Sequence, residues 1–402
     1  DCLSACLSDN PPTNSLHRPT THSKARKTNC LPVSVGQNVC PRLIELEIPM
    51  QEEVLRVALR PEDGSGTKDH YLRRKTAIES KDKGLKISDL EVPDFDGAIN
   101  SLVKAEADLI LMSGEEWASI EEKAGLEIAA VFPRRDPSWV LISEDKPEYL
   151  PRRGIIICPH PLLRRQMRRA RPDCKILSLA KAADKFNPPE DGDWSAVVPW
   201  LHGLLVEKDI DAFIIDRSRW EMAGIRNRRH TLGLQRNQRD RAHFIPPTFS
   251  GISLLVCRSG FPTEKIKVMH DRVSESALKT EYFLWQDVDP SIRELVAIHS
   301  EQRGIGVILR EAEANEDLPV RESLLDVEGR VINGGTRVEI RMEMVSRDGS
   351  RTIGQERTAP LEFAYEESVN MNLNWKELTM LASEGFANPE NPQEKIRFFE
   401  LD

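Results

Sequence analysis

The chain has 402 residues, 39% hydrophobic and 30% charged, enough for two or three compact domains that each bury a core, which excludes a disordered polymer. No stretch approaches the ~18 consecutive apolar residues that cross a bilayer, and the mean hydropathy of -0.45 agrees with that. Lys+Arg 56 against Asp+Glu 65 leaves a formal charge of -9, which argues against a generic nucleic-acid binder while leaving room for local basic patches.

Residues 1–44 hold only two acids, Asp1 and Asp9, among many Ser, Thr and Pro, with Arg18, Lys24, Arg26, Lys27 and Arg42. Such a segment cannot build a core. A serine-rich, acid-poor, basic leader has the composition of an organellar transit peptide, plastid ahead of mitochondrion, and it lacks the apolar run of a secretory signal. The seven cysteines, at 2, 6, 30, 40, 158, 174 and 257, form no C-x-x-C pair and no zinc-type spacing, so neither a disulfide framework nor a metal site is expected. Those in apolar runs, such as Cys158 after Gly154-Ile155-Ile156-Ile157, read as small buried thiols.

From Val54 the texture becomes short apolar strands alternating with amphipathic helices. Strands are predicted over 54–59, 107–112, 126–132, 139–142, 154–158, 175–179 and 210–215, and helices over 67–79, 95–105 and 161–170. This βαβ rhythm implies two α/β domains. A helix around 274–285 opens a third region. There Asn333-Gly334 precedes the alternating 338–344 run and Asp348-Gly349 closes the next turn, which predicts an α+β domain with an antiparallel sheet.

Taken in order, these segments resemble hydroxymethylbilane synthases. The pieces that carry the resemblance are Leu55-Arg56-Val57-Ala58-Leu59-Arg60, the strand ending at Met112-Ser113, Arg134-Arg135-Asp136-Pro137 before Trp139, Leu163-Arg164-Arg165-Gln166, Phe244-Ile245-Pro246-Pro247 and Gly354-Gln355-Glu356-Arg357. The resemblance implies a fold of two α/β domains like those of type II periplasmic binding proteins, plus a C-terminal α+β domain. Domain 1 would comprise 45–150 and 243–262, domain 2 151–242, and the third domain 263–402 with an insertion near 293–334.

It also implies a tetrapyrrole-biosynthesis ancestry, with Glu116 at the position of the catalytic aspartate and Arg60, Ser113, Arg164 and Arg165 holding the carboxylates of a polycarboxylate or pyrrole ligand. Glu115 stands where the family has a lysine, replacing attraction by a repulsion on the order of 1 kcal/mol at 4 Å even in water. No cysteine follows Cys257, so the thioether to a dipyrromethane cofactor cannot form. The expectation is therefore a catalytically degenerate family member without cofactor, acting as an anion-binding or scaffold protein. The alternatives are an active synthase that carries dipyrromethane by another attachment, and a structural subunit of an organellar assembly. For the latter, the arginine-rich segment 217–241 beside Trp220 would contact an acidic protein or RNA surface.

Overall fold

The structure is a computed structural model that describes residues 54–61, 65–80, 86–190, 192–234, 242–332, 335–383, 386–387 and 395–396. The leader 1–44, the Asn333-Gly334 turn and Arg236, Arg239 and Arg241 of the basic segment lie outside the described residues. The description below concerns the unit Glu52–Asp402.

The first sheet is assembled from β1 (Val54–Leu59), β2 (Lys86–Glu91), β3 (Leu109–Ser113) and β4 (Leu126–Val131), with α1 (Thr67–Glu79), α2 (Phe95–Val103) and α3 (Gly114–Ser119) between them. The chain then crosses over through 132–138 into a second sheet. That sheet contains β5 (Trp139–Ile142), β6 (Ile155–Ile157), β7 (Lys175–Leu177), β8 (Ala212–Asp216) and β9 (Arg229–Leu232). Its helices are α4 (Pro161–Ala170), α5 (Leu179–Ala183), α6 (Trp194–Val206) and α7 (Arg217–Ala223). A second crossover returns the chain to the first sheet as β10 (Ser253–Arg258).

The strand orders are β2-β1-β3-β10-β4 and β7-β6-β8-β5-β9. In each, four strands share one direction and the strand that follows a crossover, β10 or β5, lies antiparallel between two of them. Two sheets of this order joined by two crossovers, followed by a smaller antiparallel sheet, make the mixed α/β architecture of the chain. Because β5 pairs with β8 and β9, the chain leaves the first sheet before Trp139, ahead of the boundary expected at 150.

Apolar runs explain why both sheets are covered on each face. Leu109 to Met112 and Ala212 to Ile215 are entirely buried, as parallel strands flanked by helices require. One face of the first sheet packs Leu55, Val57 and Leu59 against Tyr71 and Ile78 of α1; the other packs Ala58, Ile110 and Met112 against Ala98 and Leu102 of α2. The burial also silences the thiols. Loss of solvent pushes Cys158 up to about 12 and Cys257 up to about 11.

The third domain opens with α8 (Arg272–Gln286) and carries β11 (Val296–Gly304), α9 (Ile305–Ala314), α10 (Leu318–Leu324), β12 (Thr336–Val345), β13 (Thr352–Pro360) and α11 (Ala364–Ser383). Its antiparallel sheet runs β11-β12-β13. On β12 the even residues Val338, Ile340, Met342 and Met344 are buried with Leu284 of α8 and Trp375 of α11. The odd residues Arg337, Glu339, Arg341 and Glu343 therefore occupy the opposite, polar face.

Candidate functional site

A cleft of about 590 Å³ opens between the two α/β sheets. It lies where β1, β3, β6 and β8 run out at their carboxyl ends into Ser65, Ser113, Pro159 and Asp216, the place where open α/β sheets present backbone groups and loops to ligands. The crossovers contribute Arg135 to Trp139 and Pro247 to Ile252, and the third domain adds Trp285 and Arg293.

Local chemistry fixes each wall. Ser113 caps α3: its Oγ accepts from the Glu116 amide at 3.2 Å, while Glu116 Oε2 accepts from the Ser113 amide at 2.8 Å, a reciprocal box that satisfies two orphan donors. Asp216 caps α7 by accepting from the Arg219 amide at 3.0 Å and holds the Arg219 guanidinium at 2.6 Å. That guanidinium lies 4.0 Å from the centroid of Trp194, a cation–π contact worth ~0.5–2 kcal/mol. Arg293 stacks on Trp285 in the same way at 3.9 Å.

Arg135 spans the cleft, donating to Ser218 Oγ at 2.7 Å and to the Ser65 carbonyl at 2.9 Å. Arg217 pairs with Asp136 and reaches Glu221 at 3.2 Å. His160 meets the edge of Trp139 at 5.6 Å, and its Nδ1 is shut off from solvent with no hydrogen-bond partner. Burial, then Arg164 and Arg219, push this imidazole down to about 3, so it stands neutral in the wall at neutral pH.

Of the residues expected to form the site, Ser113 and Glu116 line the cleft and Arg60, Arg164 and Arg165 do not. Glu116 spends one carboxylate oxygen on the capping box and offers the other to Arg60 at 2.5 Å. Arg60 in turn lies 5.4 Å from the Phe95 ring. Both are fastenings of the first sheet. Arg164 donates to the carbonyls of Cys158 and Pro159 at 3.3 and 2.7 Å, closing the turn that precedes α4.

Arg165 has no exposed surface and donates to the Val345 carbonyl of β12 at 3.1 Å. Its neighbours follow it toward the third domain. Gln166 reaches Glu343 at 3.3 Å, Arg168 the Arg347 carbonyl at 2.7 Å and Arg169 the Glu343 carboxylate at 2.8 Å. Arg165, Arg168 and Arg169 of α4 are thus fasteners to the third domain, while Leu163 and Met167 serve the second sheet.

The basic segment also divides. Arg217 and Arg219 belong to the cleft, Arg229 stacks on Trp220 at 3.9 Å, and Arg226 and Arg228 are exposed. Sequence reasoning missed the tryptophans of the cleft, whose signal was their place beside turns: Trp139 opens β5, Trp194 opens α6 and Trp285 lies in the last turn of α8. Among the described residues no group of His, Cys, Asp and Glu is arranged to hold a metal ion, and no helix is long and apolar enough to cross a membrane.

Neither a family model nor a curated protein matches the chain. The solved structures it is similar to include an ABC transporter periplasmic substrate-binding protein from Coxiella burnetii, at 14% identity over 57% of this chain and 97% of that one, TM-score 0.34. They also include a nutrient-binding protein from Burkholderia cenocepacia bound to methionine, at 14% identity over 58% and 96%, TM-score 0.32. A third is the methionine-binding protein MetQ, at 12% identity over 57% and 90%, TM-score 0.31.

No family model matches and the solved structures found are substrate-binding proteins, so the resemblance to hydroxymethylbilane synthases is corrected, together with the tetrapyrrole function and the transferase ancestry it implied. The physical reason is that short apolar strands followed by polar turns, in this order, are what any chain threading two such sheets must show. The residues that gave the resemblance its chemistry, Glu116, Arg164 and Arg165, are occupied by capping and domain fastening.

Proposed function

We propose that the chain is a binding protein for a small zwitterionic organic molecule, taken between the two α/β sheets. The observation that carries this reading is the composition of the cleft. Arg135, Arg217, Arg219 and Arg293 line it with Glu115, Glu116, Asp136, Asp216 and Glu294, beside the indoles of Trp139, Trp194 and Trp285. Nearly balanced charge favours a ligand bearing both signs, since a polyanion would meet the carboxylates as well as the guanidiniums. The indoles supply apolar area for the body of the ligand. At about 590 Å³ the cleft has the size of small-molecule sites.

Titration calorimetry with L-methionine, L-tryptophan and succinate tests it. Methionine is a convenient first probe because it is small, zwitterionic and apolar in its side chain. The expected result is binding of at least one amino acid, weakened about tenfold or more by Trp194→Ala, with no binding of succinate. Binding of succinate alone, or amino-acid binding untouched by Trp194→Ala, overturns the reading.

A further inference from the structure

A second cavity of about 810 Å³ lies on the polar face of the third domain's sheet, under α9 and α10 and against Leu234, His243 and Ile245 of the second crossover, and it shares no lining residue with the cleft. Arg337 of β12 lines it at 8% exposure. The Nε of this arginine is buried without a partner, and the guanidinium makes one long contact, to the Ile332 carbonyl at 3.5 Å.

The acids around it are committed elsewhere. Arg303, directly opposite Arg337 in the β11–β12 register, takes Glu311 at 2.5 Å and Glu339 at 3.0 Å. Arg341 takes Glu339 at 2.6 Å and Glu356 at 2.7 Å. Glu343 is held by Arg169 and His243, both at 2.8 Å. Among the described residues Arg337 has no carboxylate partner, and a buried cation without one is costly.

We infer that this cavity binds a small organic monocarboxylate, its carboxylate on the Arg337 fork and its hydrocarbon against Ile308, Val320 and Leu324. A guanidinium with a free edge takes a carboxylate in two parallel hydrogen bonds. The cavity also holds Glu311, Asp317, Glu339, Glu343 and Glu356, so a singly charged oxyanion meets less repulsion there than phosphate does. The buried Ile308 of α9 and Leu324 of α10 give the remainder of the ligand an apolar wall, which Val320 extends at the surface.

Hexanoate and inorganic phosphate, titrated separately into the full chain by calorimetry, decide the matter. Hexanoate binds wild type, loses about tenfold or more in affinity with Arg337→Gln, regains part of it with Arg337→Lys and is unaffected by Trp194→Ala. Because Arg337→Gln removes an unpaired buried charge, that variant unfolds without ligand at the same temperature as wild type or higher. No binding of hexanoate, equal binding by Arg337→Gln, loss with Trp194→Ala, or preference for phosphate overturns the inference.

Discussion

Arg134 and Glu281 face one another at 2.6 Å, one from the first crossover and the other from α8, and Glu281 has no solvent exposure at all. The carboxylate also accepts from the Ser300 amide of β11 and the Phe249 amide of the second crossover, each at 2.9 Å. Arg134 completes the knot by donating to the carbonyls of Ser250 at 2.8 Å and Ser300 at 3.2 Å. Both crossovers and the third domain are thereby tied at one buried carboxylate.

Glu281→Gln should lower stability by ~3–5 kcal/mol, because it leaves a guanidinium facing a neutral amide in the interior. Urea unfolding measures it. Arg134→Gln should do the same, and the double variant should lose less than the two singles together.

The turn Asp348-Gly349 carries a second joint. Gly349 has φ +83°, and a Cβ there would stand 2.5 Å from the Arg169 amide nitrogen and 2.6 Å from the Arg168 carbonyl carbon of α4. Gly349→Ala combines left-handed strain with a backbone clash, so a loss of ~2 kcal/mol or more is expected in chemical denaturation. Substituting Gly329, with φ +74° and open space around its Cβ position, should cost only the strain, ~1 kcal/mol.

Gly66, at the start of α1, stands at a close approach to Arg135 and to Ser218 of α7. With φ +71°, its Cβ would fall 2.4 Å from the Arg135 Nη1 and 2.7 Å from Ser218 Cβ. Gly66→Ala should push α1 from α7, raise the radius of gyration in solution scattering and weaken cleft ligands by about tenfold. The Arg337 cavity should keep its affinity.

Acid should destabilise the fold below neutrality. Burial first, then Arg135, pull the His70 imidazole down to about 4, and burial with Arg164 and Arg219 pulls His160 down to about 3. The unfolded chain, with imidazoles near 6.5, binds protons that the fold refuses. Stability is therefore complete above about 6.5 and falls as pH drops from there toward 4 and 3, by up to ~1.4 kcal/mol per pH unit for each histidine. Melting temperature against pH shows the slope, and His70→Gln should make it shallower.

Much of the architecture was legible in the chain. Thr67–Glu79, Trp139–Ile142 and Pro161–Ala170 fall where the periodicity predicts them, and the alternation of 338–344 marks β12. Such elements announce themselves because burial on one or both faces dictates which positions are apolar. Strand β2, Lys-Ile-Ser-Asp-Leu-Glu, left little signal, since only Ile87 of its six residues is buried.

The sequence by itself determined the alternation of strands and helices, the two α/β units with their α+β companion, and the supply of arginines and tryptophans. Only the tertiary structure decided which of them meet a ligand. Arg165 and Val345 stand 180 positions apart, and no local pattern tells whether an arginine on a helix faces solvent, a cleft or the carbonyl of a distant strand. Three domains folding against one another made that choice. They turned Arg165, Arg168 and Arg169 of α4 to the third domain, left Arg219 on Trp194 in the cleft, and enclosed Arg337 without a carboxylate partner among the described residues.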